Sequence, residues 1–165
     1  MRVKDIIQVL EQLAPLPLQE DYDNSGLQVG DLHREVTGAL LAIDVTENVI
    51  EEAISLGCNL VISHHPLAFR PFKSLTGKNY VERCMMQAIK HDIAIYSAHT
   101  NLDNAWDGVN FKLAEMLELQ NVKILEPQKQ ALLKFVTTAP LQHAESVRNA
   151  LFNAGAGHIG NYDSC

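Results

Sequence analysis

The chain is poor in cysteine: there are three, Cys58, Cys84 and Cys165. The number is odd, and no pair has the spacing of a zinc knuckle or a redox motif, so a cysteine-built metal or redox centre is not expected. Cys58 lies in the apolar run CNLVI and reads as a small core residue. No apolar run approaches the length of a membrane span. The N-terminal MRVKDIIQVLEQL carries Asp5, Gln8 and Glu11 inside its apolar pattern, which marks an amphipathic helix and not a signal sequence. We therefore expect a cytoplasmic protein with no membrane partner. Basic charge is also short: 13 Lys and Arg against 20 Asp and Glu leave a formal charge of -7. That argues against a nucleic-acid backbone as main partner, since such binding runs on Lys and Arg neutralising phosphates. A small anionic substrate stays compatible, because a metal supplies local positive charge. A glycine-rich phosphate loop is missing, since Gly26-Leu-Gln-Val-Gly30 precedes a strand and does not open a helix. So is a Gly-x-Ser-x-Gly nucleophile elbow.

What is present is an α/β grammar. A length of 165 residues suffices for one full core and a little more. Val3, Ile6, Ile7, Leu10 and Leu13 recur with a helical period, and Pro15 and Pro17 stop that helix. Asp21 to Gly26 is loop chemistry, dense in Asx, Ser and Gly. The apolar run at 38–46 reads as a strand buried on both faces, the run at 59–63 as a second buried strand and that at 92–98 as a third strand. Helical patterns at 47–56, 79–91 and 104–119 follow them, the first with Thr46 as N-cap and Gly57 just past its end. Strand and helix alternate three times, which predicts a layered α/β/α domain with a mostly parallel sheet. Near Pro127 the grammar restarts with a strand over 132–139, a helix over 142–153 and a strand beginning at His158. The division expected is a metal-binding α/β domain over 1–126 and, over 127–165, the first β-α-β half of a small ferredoxin-like insert. A lone β-α-β piece cannot bury a core unaided, so either it docks on the first domain or the chain is truncated, and truncation is the expectation.

In such a sheet, ligands collect beyond the C-terminal strand ends. Asp44 and Thr46 lie there after the first parallel strand, Ser63, His64 and His65 after the second, and His99 and Asp103 after the third. Imidazole and carboxylate are the ligand set of zinc, iron or manganese sites that keep open positions. Neighbours leaving a strand point in opposed directions, so His64 and His65 can address two separate metals. The competing reading is a pair of surface histidines in a loop. The placement at a strand end, with Asp103 at another, favours a metal. Asp103 also qualifies as N-cap of a helix starting at Asn104. His99 is a ligand, a residue that orients one, or a core histidine, and the second is favoured. Asp44 serves equally well as a turn residue. Ser63 beside His64 is discounted as a nucleophile, because neighbours in an extended segment point apart.

The segments Tyr22-DNSGLQVG-Gly30, Ala42-IDVT-Thr46, Ser63-HHP-Pro66 and His99-TNLD-Asp103 resemble the NIF-three-like family of the YbgI/YqfO type, many of whose members carry the name GTP cyclohydrolase 1 type 2 homologue. The likeness runs through residues 1–126 and includes Gly155-AGHIGNYDSC-Cys165, which resembles the insert of longer members. The resemblance implies a dinuclear metal centre, with zinc, iron or manganese held by His64, His65 and Asp103, and ring-shaped homohexamers. It also implies a histidine and a glutamate from a His-x-x-x-Glu motif near the C-terminus of the full protein, a motif this sequence does not contain. A site with three of its five protein ligands is expected to bind weakly or hold one metal. The first motif usually opens with Trp, where Tyr22 stands here.

Two functions follow as expectations. The first is a metal-dependent hydrolase, with two metals about 3.5–4 Å apart clamping a water and a substrate oxygen. Its substrate is a small molecule, possible classes being nucleotides and phosphoesters; the GTP-ring-opening label rests on analogy alone. The alternative is a non-enzymatic metal-binding or protein-interaction scaffold.

Overall fold

The computed structural model describes residues 1–125 and 135–157. Contacts divide the chain into two units, Met1–Val122 and Lys123–Cys165.

The first unit opens with helix α1 (Val3–Leu13), which buries Val3 and Ile7 along one stripe. Asp5 in its first turn accepts the backbone N–H of Arg2 at 2.7 Å, a carboxylate where unpaired helix N–H groups gather. Pro15 ends the run, and a single 3-10 turn (Leu16–Leu18) follows. Then come β1 (Gly26–Val29), β2 (Ala39–Ala42), α2 (Glu47–Ser55), β3 (Leu60–Ser63), α3 (Tyr80–Lys90), β4 (Ala94–Ser97), the one-turn α4 (Thr100–Asp103) and α5 (Val109–Met116). Thr46 caps α2 by accepting the N–H of Val49 at 3.3 Å, and Asn79 caps α3 through Glu82 at 2.9 Å.

The sheet order is β1-β4-β3-β2. Strands β2, β3 and β4 run parallel, and β1 lies antiparallel to β4. The fold is α/β with a mostly parallel sheet, as the alternation predicts. Helices α2 and α3 close one face, over Val45, Ile50, Ala53, Val61, Met85 and Ile95. Helix α1 closes the other, over Val3, Ile7, Leu60, Ala94 and Tyr96.

Three details differ from the sequence reading. Strand β1 is new, and it explains the glycines around it. Gly30 has φ +117°, and a Cβ there would stand 2.6 Å from the Cβ of Ala94, so the residue is a packing requirement where β1 leaves the sheet. Strand β2 is an edge and is not buried on both faces: Leu41 is 76% exposed, because α1 covers the sheet only over its neighbours. The helix expected over 104–119 is shorter: it forms only as α5, Val109–Met116, and the one-turn α4 stands before the expected span. Asn104 Nδ2 donates to Leu18 O and Glu20 Oε1, both at 2.9 Å, which draws the chain aside before α5 starts.

In the second unit a 3-10 turn (Leu141–His143) leads into α6 (Ala144–Asn153). Of the strand expected over 132–139, the described residues 135–139 form no strand. A strand needs a partner for its hydrogen bonds, and none is present among the described residues of this unit. Residues 132–134 and the strand expected from His158 lie outside the described residues. Among the described residues, no helix is long and apolar enough to cross a membrane.

Glu82 is a buried carboxylate within α3, only 2% exposed. It accepts the N–H of Thr76 at 2.9 Å, the Thr76 hydroxyl at 3.1 Å, the N–H of Lys78 at 3.3 Å and the Asn79 amide at 3.1 Å. The Thr76 backbone bond foremost, against the opposing effect of burial, holds its pKa down at about 2. A depressed carboxyl stabilises the fold above the ordinary carboxylate range and loses that contribution as pH falls through the folded value. Glu82→Gln is therefore expected to unfold more readily than wild type in urea near neutrality, with the difference narrowing as pH drops from about 5 towards 2. Leu60, fully buried between α1 and the sheet, gives a pH-independent comparison. Leu60→Ala is expected to lower stability by about 2–5 kcal/mol in the same titration.

Candidate metal centre

Strands β3 and β4 finish side by side, with Ser63 opposite Ser97. Both residues are buried, and their hydroxyl oxygens lie 2.8 Å apart. Ser63 Oγ also donates to the carbonyl of His65 at 2.9 Å. The hydroxyl beside His64 is thus tied into the strand ends, in keeping with its dismissal as a nucleophile. The backbone N–H of His65 reaches Ile43 O at 2.9 Å, so the chain stays clamped to the extension of β2 just before Pro66.

From that clamp the imidazoles converge. His64 Nδ1 is 2.8 Å from the carbonyl of Ala98, His65 Nδ1 is 2.7 Å from Asp44 Oδ1, and His99 Nδ1 is 2.8 Å from Asp23 Oδ1. Each acceptor is a carbonyl or carboxylate oxygen, so each ring donates from Nδ1, and a neutral ring then carries its lone pair on Nε2. Ring centroids stand 5.1 Å apart for His64 and His65, 5.2 Å for His64 and His99, and 5.5 Å for His65 and His99. One ring nitrogen from each of the three lies within 4.8 Å of the others. Asp103 Oδ1, at the end of α4, is 3.5 Å from His64 Nε2.

The structure thus places His64, His65 and Asp103 at one rim of the sheet. His99 stands among them as a third imidazole, and Asp44 holds His65 from behind. Asp103 closes α4 and caps no following helix. The expectation that His64 and His65 point apart does not hold. Strand β3 ends at Ser63, and the chain bends through both histidines, so the alternation of an extended segment no longer applies.

Asp23 is the residue that sequence reasoning missed. Its side chain is wholly buried, and besides His99 it accepts the N–H of Thr100 at 3.0 Å, the Thr100 hydroxyl, the N–H of Asn24 at 2.7 Å and the Ser25 hydroxyl at 2.9 Å. Burial pushes its carboxyl up, but the hydrogen bonds, led by Thr100 and His99, outweigh it and hold the group well below the usual carboxylate range. The only signal was a loop dense in Asx and Ser, which does not say which aspartate turns inward. Asn101 completes the frame: its buried amide donates to Ala14 O at 2.7 Å and accepts the N–H of His99 at 2.9 Å. In His99-Thr-Asn-Leu-Asp103, each polar residue therefore has a defined partner or faces the cluster.

This donor set suits a divalent transition metal. Neutral imidazoles fixed through Nδ1 by carboxylate or carbonyl, with a carboxylate beside them, are the arrangement that orients histidine ligands in metal sites. A check is available without metal. Two-bond 1H–15N spectra of the metal-free protein are expected to show the Nδ1–H tautomer for His64, His65 and His99 near neutral pH or above; a dominant Nε2–H tautomer at any of them would contradict the anchoring described.

Comparison with known proteins places these features in a family. The profile of the Duf34/NIF3 (NGG1p interacting factor 3) family matches residues 1–164. A protein of Halalkalibacterium halodurans named GTP cyclohydrolase 1 type 2 homolog is 44% identical over 161 residues, covering 97% of this chain and 43% of the relative. One of the same name from Bacillus subtilis is 44% identical over 163 residues, covering 98% and 44%. The crystal structure of a Bacillus cereus protein related to NIF3 superposes with a TM-score of 0.73 at 44% identity, covering all of this chain and 46% of that one. The chain spans under half the length of these relatives. It belongs to the Duf34/NIF3 family.

Proposed function

We propose that this chain supplies part of a divalent-metal centre in a metal-dependent hydrolase, with His64, His65 and Asp103 as ligands and His99 beside them. The observation that carries this reading is the convergence of three Nδ1-anchored imidazoles with one carboxylate at a strand-end rim. When bound, a divalent ion supplies Lewis acidity, polarising a substrate oxygen and making water more acidic. The chain's own residues do the rest. Asp44 and Asp23 orient His65 and His99 and raise the basicity of their Nε2 atoms. Asp103 presents a carboxylate oxygen able to take a proton from water. Phe69 stands edge-on to His99 at 6.2 Å and borders one side of the cluster.

On this reading the full-length protein holds two metals, zinc, iron or manganese, and completes the set with a His-x-x-x-Glu motif outside this sequence. It works as a homohexamer in the cytoplasm. The relatives' name points to GTP-like nucleotides, and phosphoesters are equally compatible with the ligand set. The second reading, a metal-binding or interaction scaffold without turnover, draws on the family's description as an interacting factor.

Elemental analysis and a substrate screen on the full-length protein separate the two. Wild type is expected to retain zinc, iron or manganese and to hydrolyse a nucleotide or phosphoester, with His65→Ala and Asp103→Ala losing both metal and turnover. Asp44→Ala is expected to weaken metal affinity by roughly 10–100-fold. Tight metal binding without turnover on any class would favour the scaffold. Metal content unchanged in His65→Ala and Asp103→Ala would overturn the site itself.

A further inference from the structure

Next to the histidines lies a cavity of about 520 Å³ walled by Tyr22, Asn24, Gln28, Phe69, Arg70 and Phe72. Its size falls within the rough 300–1,000 Å³ range of small-molecule sites. It adjoins the metal centre directly: Asp23, in its lining, holds His99, and the Phe69 ring touches that imidazole edge-on. Its chemistry is unusual for open surface. Tyr22 is 67% exposed, Phe69 45% and Phe72 38%, so three rings face water around one hollow. Large exposed apolar surface gathered in a concavity marks a binding site.

The walls are also fixed in place. Asn24 Nδ2 donates to Ala68 O at 2.5 Å, Gln28 Nε2 donates to Asn24 O at 2.6 Å, and Gln28 Oε1 accepts the N–H of Ala68 at 3.0 Å. These bonds staple the loop bearing Tyr22 to the loop bearing Phe69, Arg70 and Phe72. Asn24 Nδ2 and both ends of the Gln28 amide are thereby engaged, and the aromatic faces and the guanidinium remain as recognition groups. Arg70 is exposed, and among the described residues it has no ion pair. An unpaired guanidinium in a chain of net charge -7 is a local exception to the prevailing field. Its planar fork matches oxyanions with two oxygens in reach, and aromatic faces take flat rings.

We propose that this groove is the specificity pocket of the site, and that it takes a planar ring bearing a phosphate or carboxylate group. The ring lies against Tyr22, Phe69 and Phe72, the oxyanion meets Arg70, and the remainder of the ligand reaches the imidazoles. This rests on the reading of the histidines as the reaction centre, and it names the class of molecule handled there.

The test uses the full-length protein, metal-free and zinc-loaded, titrated calorimetrically with phenyl phosphate, benzoate, phenol and inorganic phosphate. At least one of the two aryl anions is expected to bind about tenfold or more tighter than phenol, and phenyl phosphate likewise tighter than inorganic phosphate, in the metal-free protein too, where chelation by metal cannot contribute. The phenyl phosphate and benzoate arms tell which oxyanion is preferred. Arg70→Ala is expected to cost the preferred aryl anion about tenfold and leave phenol unchanged, since a charge-assisted hydrogen bond is lost. Phe72→Ala is expected to weaken the aryl anion and phenol alike and spare inorganic phosphate. Metal content is measured on the same samples and is expected to stay at the wild-type level in both variants. Absence of metal in wild type would sink the hydrolase reading while the ring preference still stands or falls by the metal-free titrations. The pocket is overturned if neither aryl anion binds, if inorganic phosphate binds as tightly as phenyl phosphate, or if Arg70→Ala and Phe72→Ala bind like wild type.

Discussion

Parallel pairing of β3 with β4, ending in the buried contact between the Ser63 and Ser97 hydroxyls, is the constraint from which the rim is built. Two hydroxyls removed from water cost stability unless they pair, and here they pair with each other and with the carbonyl of His65. Register and hydrogen bonding therefore agree: slip the strands by one residue and both hydroxyls lose their partners while every side chain changes face. With the strand ends locked level, the segments that follow, His64-His65 and His99 to Asp103, must leave the sheet at the same height. That is why residues more than thirty positions apart meet without any covalent link between them.

The second layer of control is the far nitrogen of each ring. An imidazole that only approached the rim could present either nitrogen or flip. Hydrogen bonds from Nδ1 to Ala98 O, Asp44 and Asp23 remove that freedom one ring at a time. Thr100 and Asn101 then hold the holders: one keeps Asp23 ionised and aimed, and the other ties the His99 backbone to the end of α1 at Ala14. Packing of α1 on the sheet, a property of the apolar core, is in this way coupled to the direction of a polar ring.

How much of this is legible in the sequence depends on the range of the interactions. Strands β2 to β4 and helices α1 to α3 are legible because their signals are local: apolar runs, helical spacing, Thr46 as a cap, and Pro15 as a stop. Strand β1 is not, because Gly26-Leu-Gln-Val has only two large apolar residues and becomes a strand by pairing antiparallel with β4, a tertiary event. The break between α4 and α5 hides for a related reason. The apolar spacing runs on through 104–119, while the chain turns tightly at Gly108, where a Cβ would meet the Leu102 carbonyl at 2.1 Å. In the site, His64, His65, His99 and Asp103 could be placed at one rim because strand ends are predictable. Asp23 could not, since its partner His99 lies 76 residues further along.

The cluster is not uniform, and the difference has a direction. Asp23 is wholly buried and His99 only 18% exposed by side chain, whereas Asp44 and His65 are 65% and 49% exposed. Water competes for the Asp44–His65 bond and is excluded from the Asp23–His99 bond, so the same contact is worth less on the open side. The rim thus has a stiff half, braced by Asp23, Thr100 and Asn101 and bordered by Phe69, and a looser half at His65. Rigidity sits at His99 beside Phe69, and freedom sits at His65 on the side open to solvent. A preorganised site gains from that division, because the ordering cost is met by the fold on one side and the adjustment on arrival is confined to the other.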